Sequence, residues 1–147
     1  MQFQKFGSRF VVRLDRGEEV VATLQNFCEQ QKISLGSISG IGAVERATVG
    51  FFETATKKYL ARELPGGFEL APLAGNISTQ SGETYLHLHA NLADEKQNAF
   101  AGHLSAATVS ATCEIVIDAI DGAVEREFDS EIGLNLLKFI SPEKNVE

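Results

Sequence analysis

The 147-residue sequence lacks any long hydrophobic run. No stretch approaches the roughly 18 to 20 apolar residues that cross a bilayer, and the first 20 residues hold no apolar core of the kind found in secretory leaders. The sequence therefore predicts a protein that makes no membrane contact. We expect it in the cytoplasm.

Cysteine is scarce, and the usual signatures of nucleophilic catalysis are missing. Cys28 and Cys113 share no spacing motif and lie in apolar patterns, which favours two small buried hydrophobes over a disulfide framework. Thiols in such surroundings are inert, and the sequence contains no GxSxG motif. A covalent nucleophile is therefore not expected.

Basic residues are also few. The chain has 13 lysines and arginines against 20 acidic residues, a net charge of −7 that repels a phosphate backbone. Binding to DNA would need a local basic patch, and the densest candidate is formed by Lys5, Arg9, Arg13 and Arg16. Their spacing is more typical of a solvated strand edge. We therefore expect no DNA binding without a partner.

What the sequence does contain fits one globular domain, with 44% hydrophobic and 22% charged residues. "SRFVVRL" predicts a first strand at residues 8–14. It leads into "DRGEEVVATLQNFCEQQK", where Val20, Leu24, Phe27 and Cys28 recur at helical spacing. Asp15 is the predicted N-cap of this helix, with Glu18 completing a capping box.

The remaining chain is rich in predicted strands. Gly40 and Gly42 indicate a tight corner between two strands, and a phosphate loop is disfavoured because no helix follows them. "PGG" at residues 65–67 predicts a hairpin, while "TYLHLHANL", "CEIVIDAI" and "GLNLLKFI" read as further strands. These elements predict an α/β fold of the α+β kind, a mostly antiparallel sheet with helix packed against it, followed by a frayed tail at residues 140–147.

Two histidines stand one residue apart in "TYLHLHANL". Successive strand residues point to opposite faces, so His87 and His89 project together from Cα atoms roughly 6.6 Å apart, while Leu86, Leu88 and Ala90 fill the core. The third histidine of the protein, His103, follows Gly102, which permits a sharp turn or a close backbone approach. If "ADEKQNAF" turns the chain back, all three imidazoles can converge.

Three imidazoles suit zinc, or another divalent transition metal, with a fourth position left for water or a ligand. The plainer alternative is that His87 and His89 are exposed strand residues and that His103 is a loop residue with a single hydrogen bond. Carboxylates could join the site: Glu83 shares the strand face by parity, and Glu114 and Asp118 alternate on a later strand. Each is more often a solvated charge or an ion-pair partner.

The order of these segments resembles the plants-and-prokaryotes-conserved (PPC) domain over residues 8–139. The resemblance rests on "GSISGIGAVERATVGFF", on "GGFELAPLAGNIS", and on the histidines of "LHLHANL" and "AGHLSAATVSATCEIVI". It implies a single domain with a largely antiparallel sheet and flanking helices, assembled as a homotrimer. In prokaryotic members it also implies a metal site, commonly zinc, at the positions of His87, His89 and His103. Glu114 matches an acidic position of the family and is a candidate only.

Plant members join this domain to AT-hook motifs, and the family is often labelled DNA-binding. This chain has no "RGRP" core and no basic flank. We therefore expect a trimeric metal-containing module that binds a small molecule or a protein. The alternative is a zinc-dependent hydrolase with Glu83 or Glu114 as base. A cupin, which has its own HxH motif, fits less well because the intervals around His87 and Glu95 differ and the early helix is foreign to it.

Overall fold

Strands dominate the architecture of this protein, and apolar alternation explains why. In the computed structural model, which describes residues 1–139, β2 buries Phe10, Val12 and Leu14 and exposes the residues between them. The predicted tail at residues 140–147 lies outside the described residues. The strands are β1 (Gln2–Phe6), β2 (Arg9–Asp15), β3 (Gly36–Glu53), β4 (Lys58–Gln80), β5 (Glu83–Ala93), β6 (Ala99–Ala119), β7 (Arg126–Asp129) and β8 (Leu134–Leu137).

Six of these strands form one antiparallel sheet in the order β1-β2-β6-β3-β4-β5. A further pairing joins β5 to β6, so β6, β3, β4 and β5 close into a ring. β7 and β8 form a separate two-stranded ribbon. The predicted fold class, a mostly antiparallel sheet with helix against it, is confirmed.

The predicted helix is present as α1 (Val20–Gln31), and it buries Val20, Leu24, Phe27 and Cys28 as the spacing indicated. It is the one α-helix of residues 1–139, and at 12 residues it is too short to cross a membrane. Both cysteines are buried and unpaired, and burial raises the pKa of Cys28 to about 12 and that of Cys113 to about 11. Both are therefore held as thiols.

The predicted N-cap of α1 is wrong. Glu18 does accept the Asp15 amide, at 2.6 Å, but the Asp15 carboxylate pairs with Arg13 and the helix begins later, at Val20. The cap is Glu19, whose carboxylate accepts the amides of the first helical turn and, at 2.8 Å, the Ala107 amide of β6. The longer glutamate side chain caps the helix and fastens it to the sheet at once.

Neither of the two predicted glycine corners is a turn. β3 runs through Gly40 and Gly42, and β4 runs through the "PGG" segment, with register shifts opposite both places. In each shift one β3 residue, Ile41 or Glu45, faces two residues of β4, which defines a β-bulge. Gly42 is needed for close approach, since a Cβ there would lie 2.5 Å from the Thr112 carbonyl oxygen. Bulges bend these long strands and allow the sheet to close.

We expect Glu19→Ala to lower the free energy of unfolding by about 2 kcal/mol, because three backbone amides lose their acceptor. Urea unfolding followed by circular dichroism would measure the loss. Glu29→Ala is the matched control, since Glu29 is an exposed carboxylate on the same helix that accepts only from Gln25. Equal effects of the two substitutions would contradict the double role of Glu19.

Candidate metal centre

All three histidines of the protein meet at the junction of β5 and β6. His87 and His89 project from one face of β5, and His103 lies directly opposite His89 in the β5–β6 register. The ring centroids are 5.1 Å apart for His87 and His89, 5.3 Å for His87 and His103, and 5.6 Å for His89 and His103. The convergence expected from the sequence is therefore present.

The turn between β5 and β6 explains how His103 reaches this place. The Asp94 carboxylate accepts the backbone amides of Lys96 and Asn98 at 2.8 and 2.9 Å, and the Asn98 side-chain amide at 3.0 Å. An aspartate that accepts amides two residues ahead is a common way to initiate a turn. Asp94 thus folds "ADEKQNAF" back on itself and fixes the register in which His89 faces His103.

Gly102 allows β6 to approach β3 closely, and it does not lie in a turn. It lies within β6, and a Cβ added to it would come 2.7 Å from the carbonyl oxygen of Gly50 on β3. Gly50 is itself the β3 partner of His103. The aromatic ring of Tyr59 packs against the His103 imidazole, with 6.0 Å between centroids and nearly perpendicular planes. The position of His103 is therefore set by the close approach of β3 to β6 and by the Tyr59 ring of β4.

The spacing of the ring nitrogens fits a divalent metal ion. One nitrogen from each imidazole lies within 4.8 Å of the other two, and the Nε2 atoms of His87 and His89 are 3.3 Å apart. Two nitrogens bound to zinc at about 2.05 Å with tetrahedral angles would be about 3.3 Å apart. The spacing of His87 and His89 therefore matches two ligands of a tetrahedral site, and the His103 ring is close enough to supply a third.

The electrostatics favour the neutral imidazoles that metal binding requires. Burial lowers the pKa of His87 to about 4, and the positive charges of Arg126 and the other two histidines act in the same direction. Burial, followed by the effect of His89, also lowers the pKa of His103. Both shifts favour the neutral imidazole, the form that binds a metal ion.

The three imidazoles form part of the wall of an open cavity of about 720 Å³. Aromatic rings from β3, β4 and β5 and the inner edge of β8 supply most of the remaining wall. This volume is within the range of small-molecule sites. The lining includes Phe51, Phe52, Tyr59, Tyr85, Leu134, Asn135 and Leu136, together with Arg126 of β7.

Arg126 is the residue of this cavity that the sequence reasoning missed. Its guanidinium donates from Nε to Ser78 Oγ at 2.7 Å, from one terminal nitrogen to the Asn135 carbonyl oxygen at 2.8 Å, and from the other to Asn76 Oδ1 at 2.9 Å. The guanidinium carbon is also 4.7 Å from the centroid of the Tyr85 ring. No local pattern in "AVEREFDS" distinguishes this arginine from a solvated one, so its role is visible only in the fold.

No carboxylate of residues 1–139 joins the histidine group. Glu114 is paired in register with Arg13 and Ile41, away from the cavity, and Asp118 forms an ion pair with Arg9 at 3.2 Å. Glu83 lies at the start of β5 and is exposed. The structure therefore does not bring the suggested carboxylates to the imidazoles.

Fold and site together define a closed antiparallel β domain with one packed helix and a three-histidine cavity. The family model of the Plants and Prokaryotes Conserved (PCC) domain matches the sequence over residues 1–121. The chain belongs to this family, which confirms the resemblance drawn from the sequence.

Solved structures with the same fold cover nearly the whole chain. A protein from Bacteroides thetaiotaomicron, described as a "putative dna binding protein", is 33% identical, with 94% of this chain and 96% of that chain covered and a TM-score of 0.92. A metal-containing protein from Archaeoglobus fulgidus is also 33% identical, with 95% and 99% covered and a TM-score of 0.84. A plant- and prokaryote-conserved protein from Pyrococcus horikoshii is 30% identical, with 96% and 97% covered and a TM-score of 0.83. No match was found among curated proteins.

Proposed function

We propose that this protein is a trimeric metal-binding module of the cytoplasm that binds a small molecule or a protein, with zinc held by His87, His89 and His103. The observation that carries the proposal is the convergence of three ring nitrogens within 4.8 Å at the wall of an open cavity. Three protein ligands leave a fourth coordination position for a ligand from the cavity. The similarity to a metal-containing protein from Archaeoglobus fulgidus supports the metal assignment.

A binding role is preferred to hydrolysis because no carboxylate of residues 1–139 lines the cavity. A zinc hydrolase needs a base beside the ion, usually a carboxylate or a histidine that is not itself a ligand. All three histidines are assigned as ligands, and no carboxylate of residues 1–139 lies in the group. Neither Glu83 nor Glu114 lines the cavity, so no observation favours the hydrolase.

The trimer is proposed from family membership and from exposed apolar surface. Phe51 on β3 and Leu60 on β4 are cross-strand partners, yet 66% and 54% of their surfaces are exposed. Phe128 on β7 is 63% exposed. Large apolar side chains that remain in water, particularly in adjacent pairs, are typical of surfaces that another chain covers.

The described contacts do not support DNA binding by the chain alone. Two members of the basic group are ion-paired, Arg9 with Asp118 at 3.2 Å and Arg13 with Asp15 at 3.0 Å. Pairing lowers the positive potential that a phosphate backbone would meet, and the chain as a whole carries a charge of −7. We therefore assign the protein no DNA-binding activity of its own.

Purified protein is expected to contain about one zinc ion per chain, measured by plasma mass spectrometry after dialysis. His87→Ala leaves two nitrogen ligands, so we expect bound zinc to fall by roughly tenfold or more. Asn91→Ala is the matched control because Asn91 lies on the same strand and, by parity, the same face, but outside the cavity lining. Full retention of zinc in His87→Ala would refute the ligand assignment.

Light scattering during size-exclusion chromatography is expected to give three times the 15.9 kDa mass of the chain. Leu60→Glu should shift the population towards monomer, because a carboxylate would be buried at the interface. Gln97→Glu adds the same charge at an exposed turn position and should leave the mass unchanged. A wild-type protein with the mass of a single chain would disprove the trimer.

A mobility-shift assay at physiological salt should show no complex between the protein and duplex DNA at roughly 10 µM protein, because the acidic chain lacks the electrostatic contribution to affinity. A neutralising pair of substitutions, Arg9→Ala with Arg13→Ala, provides the comparison. A shifted band that this double variant abolishes would establish the basic group as a DNA surface and overturn the assignment.

A further inference from the structure

We propose that the histidine cavity recognises a small organic carboxylate, whose carboxylate binds Arg126 and whose second oxygen donor binds the metal ion. This inference deepens the proposed function and rests on it for the metal contact. It depends on the position of Arg126, on its charge and on the composition of the cavity wall.

Arg126 is held in the wall of the cavity that the imidazoles also line. Its acceptors Asn76 and Ser78 are neighbours on one face of β4, and they are the register partners of His87 and Tyr85 on β5. Directly opposed residues of antiparallel strands point to the same face, with Cα atoms about 5 Å apart. The guanidinium therefore bonds to the residue that lies directly across from His87. Because both groups line one cavity, a single ligand with two donors can contact both.

The guanidinium of Arg126 forms no ion pair within residues 1–139. All three acceptors of its hydrogen bonds are neutral, and none of the ion pairs of this part of the chain includes it. A guanidinium has five N–H groups, so two remain, one on each terminal nitrogen. A half-buried arginine with an unneutralised charge favours an anion, and a carboxylate matches its geometry best.

Arg126 and the three imidazoles line the same cavity, and no carboxylate of residues 1–139 lines it. The cavity therefore has a positive potential that favours an anionic ligand over a neutral one.

The rest of the wall favours an organic ligand over an inorganic anion. Phe51, Phe52, Leu134 and Leu136 present carbon to the cavity, and the volume of about 720 Å³ exceeds what a single inorganic ion would fill. Apolar walls stabilise the carbon skeleton of a ligand, while Arg126 and the metal fix its two ends. Small-molecule sites are commonly apolar, with a few polar or charged groups that fix the orientation of the ligand.

A purely structural role for Arg126 does not account for its charge. The β7–β8 ribbon is held to the sheet by other bonds, including Thr79 amide to Val124 carbonyl at 3.0 Å and Asn135 side-chain amide to Gln80 at 3.2 Å. The Lys57 ammonium also donates to the Ser130 carbonyl at 2.7 Å. A neutral donor could add to this attachment without the desolvation that a buried cation requires.

The test compares lactate with lactamide, its uncharged amide, by isothermal titration of protein whose zinc content has been measured. We expect lactate to bind about tenfold or more tightly than lactamide, as a charge-assisted hydrogen bond implies. Arg126→Gln should reduce this preference to less than about threefold, whereas Arg126→Lys should keep part of it. Ser78→Ala removes one bond to the guanidinium but no charge, and should keep the preference.

The outcomes separate this inference from the metal assignment. Equal affinities for lactate and lactamide in zinc-loaded protein would overturn it, as would loss of the preference in Ser78→Ala to the same extent as in Arg126→Gln. If phosphate displaces lactate and binds more tightly, the inference of an organic carboxylate is wrong, and the site binds anions in general. If the protein contains no zinc, the proposed function fails, and the same titration still decides whether Arg126 selects a carboxylate.

Discussion

The pairing of β5 with β6 is the interaction on which both the fold and the site depend. β6 is long enough to pair through Ala99–His103 with β5 and through Thr112–Asp118 with β2, while β3 occupies its other edge. The first of these pairings closes the ring of four strands and places His103 opposite His89. A slip of one residue would turn the His103 ring to the other face of the sheet. The register that closes this ring of strands therefore also brings the histidines together.

The features that could be predicted from sequence are those that depend on a short repeat. A period of two places His87 and His89 on one face of β5, and helical spacing identifies the buried side of α1. The return of the chain to His103 depends on a turn that begins at Asp94, whose residue type alone favours such a turn. Local chemistry therefore gave the main elements of the site.

The features that could not be predicted depend on partners distant in sequence. Gly42 and the "PGG" segment have the composition of turns, but long strands across from them convert both places into bulges. Glu19 caps α1 in preference to Asp15 because it also reaches the Ala107 amide on β6. Arg126 has a place in the cavity only because β7 packs against β4, where Asn76 and Ser78 accept its hydrogen bonds. No periodicity within these segments encodes such contacts.

The proposed site also explains how an acidic protein can attract one class of anion and repel another. Three neutral imidazoles would leave a bound divalent ion with its full charge, and Arg126 places a further positive charge in the same cavity. Charges exposed to water are screened over about 8 Å at physiological salt, so a small ligand inside the cavity experiences mainly these nearby groups. A DNA duplex is too large for a cavity of about 720 Å³. It would instead meet an outer surface where Arg9 and Arg13 are paired, on a chain whose net charge is −7. A small anion that enters the cavity would therefore meet positive charge, although the net charge of the protein is negative.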